Sequence, residues 1–395
     1  MSRHRRAAFN GLFQRKALAS SALLTCLCSL WLVLYACTPQ PSEQETKAAS
    51  QAHSGNLETD KADKQVIQKL TLSLPSKPNG QGDFSPLSQR AQNVWQSHLK
   101  QTGQQPLQTA CQPFAVPAQG RYQGSVVLFH GFTACPQQFW EVSRLIAAKG
   151  FHVFVPLLPG HGWQYQQSAG KVSDNVSAMP ADQDYTRYSQ QATEMAGMLR
   201  GEKGIKVVGG LSLGGVVAAS AAIQAPDVFD RALLMTPLFD VVAAKKPYLP
   251  PANVVVPKHP IDWGPDCELE RKGGRGGVCQ FQIKHIRAAQ RLGEETLAQI
   301  GQVQTQIQVV GVEGDHAANN ESLAKAVGFL KNGKGCLYQK GVSHSMLSRF
   351  DSPDDQKFWL KSMQMQLVRF VESGQYFDIT ELSHERGLPR CHISS

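Results

Sequence analysis

The chain has 395 residues, 42% hydrophobic and 18% charged, with 34 Gly and 22 Pro. That balance excludes a wholly disordered chain, a collagen-like fibre and a polytopic membrane protein. The formal charge of +9 invites a nucleic-acid reading, but five of the 40 Lys and Arg residues precede the first acidic residue, Glu43. Without residues 1–36 the tally is 35 basic against 31 acidic, or +4, and the case for a nucleic-acid partner falls away.

Those five residues, Arg3, Arg5, Arg6, Arg15 and Lys16, stand before an uncharged run from Ala17 to Ala36. A basic start before an apolar run is the pattern of a secretory signal, and this run is also long enough to span a bilayer. It ends in Leu34-Tyr35-Ala36-Cys37, which resembles a bacterial lipobox, although Tyr35 is an uncommon residue at its position. Two readings stay open: a lipoprotein acylated on Cys37, and an uncleaved signal anchor. Both put the remainder outside the cytoplasm, in the cell envelope. Thr38 after the Cys resembles lipoproteins sent to the outer membrane of a Gram-negative cell.

Six cysteines remain beyond this segment: Cys111, Cys135, Cys267, Cys279, Cys336 and Cys391. An even number in an oxidising compartment permits three disulfides. Cys267 and Cys279 bracket the glycine-rich stretch from Lys272 to Gly277 and are the best local pair. Closing so short a loop contributes about 3 kcal/mol in the chain-entropy model. No Cys or His pair at zinc spacing accompanies them, so neither a metal nor another cofactor is expected.

From Thr38 to about Lys64 the composition is that of a tether, and residues 37–110 read as a polar tether with an N-terminal extension. Within it, Leu87 to Leu99 has the spacing of a short amphipathic helix. From Arg121 onward, β-branched runs alternate with helical patterns. Strands are expected at Ser125–His130, Phe151–Pro156, Ile205–Gly209, Arg231–Met235, Ile307–Val312 and Gly335–Gln339. Helices are expected at Pro136–Lys149, Tyr185–Arg200, Leu213–Gln224 and Lys357–Gly374. This alternation predicts an α/β protein with a doubly wound, mostly parallel sheet, whose sites lie at the carboxyl ends of the strands. The stretch from about Val241 to Ile283 holds six prolines and lacks that rhythm. It reads as a cap insertion after the fourth of these strands, spanning about 241–300.

Gly210-Leu211-Ser212-Leu213-Gly214 matches G-x-S-x-G at a strand-to-helix junction. Small residues there permit a strained turn that pushes the Ser212 hydroxyl out and aims the Leu213 N–H at a reacting carbonyl. His130-Gly131-Phe132 ends an earlier strand, where the Phe132 N–H is placed to be a second oxyanion donor; His130 itself is given no chemistry. Pro159-Gly160-His161-Gly162 follows the next strand.

In this order the motifs resemble the α/β-hydrolase superfamily, in particular its carboxylesterase and monoacylglycerol-lipase-like branch, over about residues 121–375. The resemblance implies a hydrolase domain at 111–395 and a triad in the order Ser, acid, His. The family's acid position falls on Asp315, with Glu313 as the alternative, and its His on His344, preceded by Ser343 where the family often has Gly. His316, His384 and His392 read as surface or tail residues. Phe132 and Met346 would flank the Ser and are candidates for an acyl-binding wall, or equally for core. The implied activity is cleavage of carboxylic esters by a monomeric enzyme. Thioesterase, acyltransferase or serine peptidase chemistry on the same triad stays open, as does a non-catalytic surface-binding lipoprotein.

Overall fold

The computed structural model describes residues 77–78, 82–163, 178–242, 261–262, 267, 274–338, 342–347, 359–377 and 391–392. The chain divides into residues 1–63 and 64–395, and every described residue belongs to the second unit. The expected export signal, Cys37, the polar tether, His384 and residues 243–260, 263–266 and 268–273 of the expected cap lie outside the described residues. Among the described residues no helix is long and apolar enough to cross a membrane.

The strands in chain order are β1 (Phe114–Val116), β2 (Gly124–Phe129), β3 (Phe151–Val155), β4 (Ile205–Leu211), β5 (Arg231–Met235), β6 (Ile261–Asp262), β7 (Gln280–Phe281), β8 (Gln306–Val312), β9 (Gly333–Tyr338) and β10 (Cys391–His392). Eight of them form one sheet in the order β1-β3-β2-β4-β5-β8-β9-β10, and β6 and β7 form a separate small hairpin. The pairs from β3 across to β9 are parallel, while β1 and β10 close the two edges antiparallel. All six residues of β2 are buried, as expected of a strand covered on both faces.

The helices are α1 (Gln89–Gly103), α2 (Trp140–Ala147), α3 (Thr186–Leu199), α4 (Leu213–Gln224), α5 (Ile283–Gln299), α6 (Asn320–Phe329) and α7 (Leu360–Ser373). Strand side chains alternate between two cores, as the pleat requires. Val127, Phe129 and Val208 join apolar residues of α1, α3, α4 and α5, whereas Val126, Leu128 and Val207 join those of α2 and α7. Burial of both faces is the main stabilising term, at about 25 cal/mol per Å² of apolar surface.

Two findings depart from the sequence expectation. The extension preceding the hydrolase motifs is docked from residue 82 onward. Ser88 caps α1 by accepting from the Ala91 N–H, Trp95 meets the Phe154 ring edge-on at 5.1 Å, and Arg90 pairs with Glu202. Secondly, α5 occupies a span assigned to the cap, yet its Ile286, Ala288, Ala289 and Leu292 share a core with α4. Cys111 is bonded to Cys135, and Cys267 to Cys279 as the sequence suggested. Cys336 is also disulfide-bonded.

The register matters most for function. Phe129 lies opposite Gly210, Leu211 opposite Met235, Met235 opposite Val310, and Val312 opposite Tyr338. The chain therefore leaves β2, β4, β5 and β8 along one edge, where His130, Ser212, Thr236 and Glu313 follow in turn.

Candidate active site

Ser212 sits between β4 and α4 with φ 58° and ψ −118°. A non-glycine residue in that region costs on the order of 1–3 kcal/mol and persists only where its surroundings enforce it. Here its N–H donates to the Met235 carbonyl at 2.8 Å, and its carbonyl accepts from Gly215, Val216 and Leu238. The flanking glycines are required by space: a Cβ on Gly210 would collide with the Gly214 carbonyl, and one on Gly214 with the Phe129 carbonyl. The first turn of a helix leaves N–H groups without intrahelical partners. The Leu213 N–H is one of them, beside the Ser212 hydroxyl.

Asp315 lies in the turn after β8, its side chain 1% exposed. Its Oδ1 accepts from the N–H groups of Ala317 at 2.8 Å and Ala318 at 3.0 Å. His344 Nδ1 is 2.7 Å from Oδ2 and 2.9 Å from Oδ1. Burial pushes the carboxyl's pKa up, but the hydrogen bond and charge of His344 and the two N–H donors outweigh it, leaving it below the ordinary value. Glu313 makes no hydrogen bond to His344 among the described residues; its N–H donates to the Tyr338 carbonyl. The His316 ring meets that of His344 edge-on at 5.6 Å.

A link from this pair to Ser212 runs through Thr236, the other non-glycine residue at positive φ (40°) among the described residues. Its hydroxyl donates to the His344 carbonyl at 3.1 Å, and Met235 just before it accepts from Ser212. No hydrogen bond joins the Ser212 hydroxyl to the His344 ring among the described residues. In the absence of substrate such a contact is often long and tightens only in the reacting complex.

The loop after β2 is held by side chains that sequence reasoning passed over. The Leu158 N–H donates to His130 Nε2 at 3.0 Å, so the ring proton is on Nδ1 and donates to the Gly131 carbonyl at 2.9 Å. Burial, then the neighbouring His161, hold the His130 pKa far below its ordinary value, so this tautomer stays neutral. Gln138 Oε1 accepts from the Gly131 N–H at 2.8 Å, and His161 Nε2 donates to the Phe132 carbonyl at 2.5 Å. The peptides on both sides of Phe132 are thereby fixed. The Phe132 N–H itself has no acceptor among the described residues.

Phe132 packs edge-on against Phe281 at 5.1 Å, in the core shared by α3, α4 and α5. Met346 is fully buried in the opposite core, with α2 and α7. His285, at the start of α5, is buried, and neither ring nitrogen has a hydrogen-bond partner among the described residues. The Pro-Gly-His-Gly motif was a usable signal for His161. Thr236 and His285 carried none. Among the described residues no cluster of His, Cys, Asp and Glu could hold a metal ion.

A strained Ser on a strand-to-helix turn, set on a mostly parallel sheet with an Asp–His pair two strands away, defines the architecture. The fold is the α/β-hydrolase fold. Residues 126–312 match the sequence model of the alpha/beta hydrolase family. Among solved structures, the fold is similar to a monoacylglycerol lipase of Paleococcus ferrophilus, at 16% identity and a TM-score of 0.51, over 67% of this chain and 99% of that one. It is similar also to the metagenome-derived lipolytic enzymes LipS and LipT, at 16% identity and a TM-score of 0.50, over 67% and 99% of the two chains. No curated protein sequence matches.

Proposed function

We propose that the protein is a serine ester hydrolase of the carboxylesterase or lipase type, with Ser212 as nucleophile, His344 as general base and Asp315 as the carboxylate that orients it. The observation that carries this reading is the strained φ of Ser212 at the sheet edge that also bears the Asp315–His344 pair. A hydroxyl is a poor nucleophile until an imidazole accepts its proton. With Nδ1–H bound to Asp315, the basic nitrogen of His344 is Nε2.

Ser212 Oγ attacks the ester carbonyl carbon as its proton passes to Nε2. The carbonyl π electrons move to oxygen, and the N–H groups of Phe132 and Leu213 hold the resulting oxyanion. Collapse expels the alcohol, which takes the proton from His344. Water then attacks the acyl-enzyme by the same route in reverse, releasing the acid and restoring Ser212. Loss of one oxyanion donor typically costs about 2.7–4 kcal/mol, so both amides matter.

The reading extends to location. The basic start, the apolar run and Cys37 support export and acylation, with the enzyme held at an envelope membrane and acting on small or lipid esters. A series of p-nitrophenyl esters of rising acyl length tests the activity. Hydrolysis with a burst of one equivalent of nitrophenol, absent in Ser212→Ala, is expected. Thioester or peptide cleavage without ester cleavage would contradict the substrate class.

A further inference from the structure

The glycine-rich stretch ahead of Cys279 has a role that a lid would not need. Gly276 and Gly277 are buried against the loop that follows β2. A Cβ on Gly276 would collide with Cys135 Sγ and lie 2.8 Å from the Ala110 Cβ, and one on Gly277 would collide with the Thr133 carbonyl. Glycine at both positions lets this backbone lie flat on residues 133–135, the direct continuation of Phe132. The Val278 N–H then donates to the Thr133 carbonyl at 2.9 Å.

Two glutamine side chains clasp the same stretch, each using both halves of its amide. Gln137, 4% exposed, donates from Nε2 to the Gly274 carbonyl at 2.9 Å and accepts at Oε1 from the Gly276 N–H at 2.7 Å. Gln108 accepts from the Gly277 N–H at 3.1 Å and donates to the Gly277 carbonyl at 3.0 Å and the Trp163 carbonyl at 2.8 Å. Disulfides stand at both ends of the assembly: Cys111–Cys135 ties the extension to the loop after β2, and Cys267–Cys279 closes the glycine-rich stretch.

Resting on the proposed function, we infer that this glycine-rich stretch, clasped by Gln137 and Gln108, is a strut that positions the oxyanion loop, and that Gln137 and Gln108 are positioning residues for the Phe132 N–H. The physical reason is preorganisation. An oxyanion donor acts only if it points at the developing charge before the reaction begins, so the backbone on either side of it must be held in place beforehand. A lid governs which acyl chains enter and shows in KM and chain-length preference. A strut governs the transition state and shows in kcat for even the smallest ester.

The experiment compares wild type, Gln137→Leu, Gln137→Glu and Gln108→Leu as the full exported protein. It measures kcat and KM for p-nitrophenyl acetate, the acyl-chain-length profile, and the rate of Ser212 labelling by a small fluorophosphonate. Gln137→Leu is expected to lower kcat about tenfold or more, short of the roughly 100–1000-fold that loss of a whole oxyanion donor costs. KM should stay within about twofold, the chain-length profile should keep its shape, and labelling should slow in parallel. Gln137→Glu keeps the acceptor for Gly276 but loses the donor to Gly274, so it should fall between Leu and wild type. It also decides the matter if the Leu variant does not fold. A shifted chain-length profile with unchanged kcat for acetate would overturn the strut in favour of a lid, and unchanged kinetics in all variants would overturn it outright. A wild-type protein in which Ser212 neither labels nor hydrolyses esters would instead overturn the function on which the strut rests.

Discussion

His344 presents Nδ1 to both carboxylate oxygens of Asp315, at 2.7 and 2.9 Å, while Glu313 two residues earlier turns its backbone to β9. An acceptor on that side fixes the proton on Nδ1 and leaves Nε2 to act as base. Asp315→Asn would present an amide instead and favour the wrong tautomer. By analogy with the Ser-His-Asp template, kcat should fall by about 10⁴. Glu313→Gln should stay within a few-fold of wild type. Steady-state kinetics on both variants decide the acid, and the reverse pattern would reassign it to Glu313.

Buried histidines, among them His98, His161 and His285, should make the protein acid-labile. Burial lowers the pKa of His98 and His161 from an ordinary 6.5 to about 4 and that of His285 to about 3. The unfolded chain then binds protons that the folded one refuses. Stability is complete above about pH 6.5 and declines as pH falls towards 4. Asp315, held below its ordinary 3.8, adds a further loss at still lower pH. Tm measured from pH 7.5 to 4.5 should drop steadily, with a shallower slope in His161→Gln. A flat profile would mean these rings are protonated without cost.

The strained turn at Ser212 was legible in the sequence because its geometry leaves a local trace. A strained turn needs Gly210 and Gly214, and their spacing around Ser212 at a strand end is visible in one line of text. Asp315 was legible only through family resemblance, since a carboxylate in a turn has no local signature of catalysis. The helix of the extension was legible, but its docking and the strut were not. Gln108 and Gln137 reach backbone groups more than a hundred residues away, and a side-chain-to-backbone bond of that range leaves no periodicity. β1 escaped notice because three residues between Pro113 and Pro117 are too few to show alternation. In α5 the buried stripe is built of Ala, Gly and His alongside Ile286 and Leu292, which blurs its hydrophobic pattern.

Non-reducing peptide mapping of the protein should recover one peptide pair joining Cys111 to Cys135 and another joining Cys267 to Cys279. Both bridges secure backbone around the oxyanion loop, so they should form together. A peptide joining Cys111 to Cys267 would contradict the arrangement on which the strut depends.

The proposed lipid anchor rests on one thiol, that of Cys37. In the proposed lipoprotein, Cys37→Ser should abolish acylation and release active enzyme from the membrane fraction, because the acyl chains are what hold it at the bilayer. Mass spectrometry of the N-terminal peptide checks this. Diacylglycerol on the Cys37→Ser protein would contradict it, and an unprocessed N-terminus on the wild type would favour the signal-anchor alternative.

An activated Ser212 reacts covalently with a fluorophosphonate whatever its natural substrate. Purified protein is treated with a fluorophosphonate and its intact mass and peptide map are recorded, alongside Ser212→Ala and His344→Ala. One adduct per chain on the Ser212 peptide is expected in the wild type. None is expected in the Ser212 variant, and labelling should slow by orders of magnitude without the imidazole. An unlabelled wild type, or an adduct that persists in Ser212→Ala, would contradict the account.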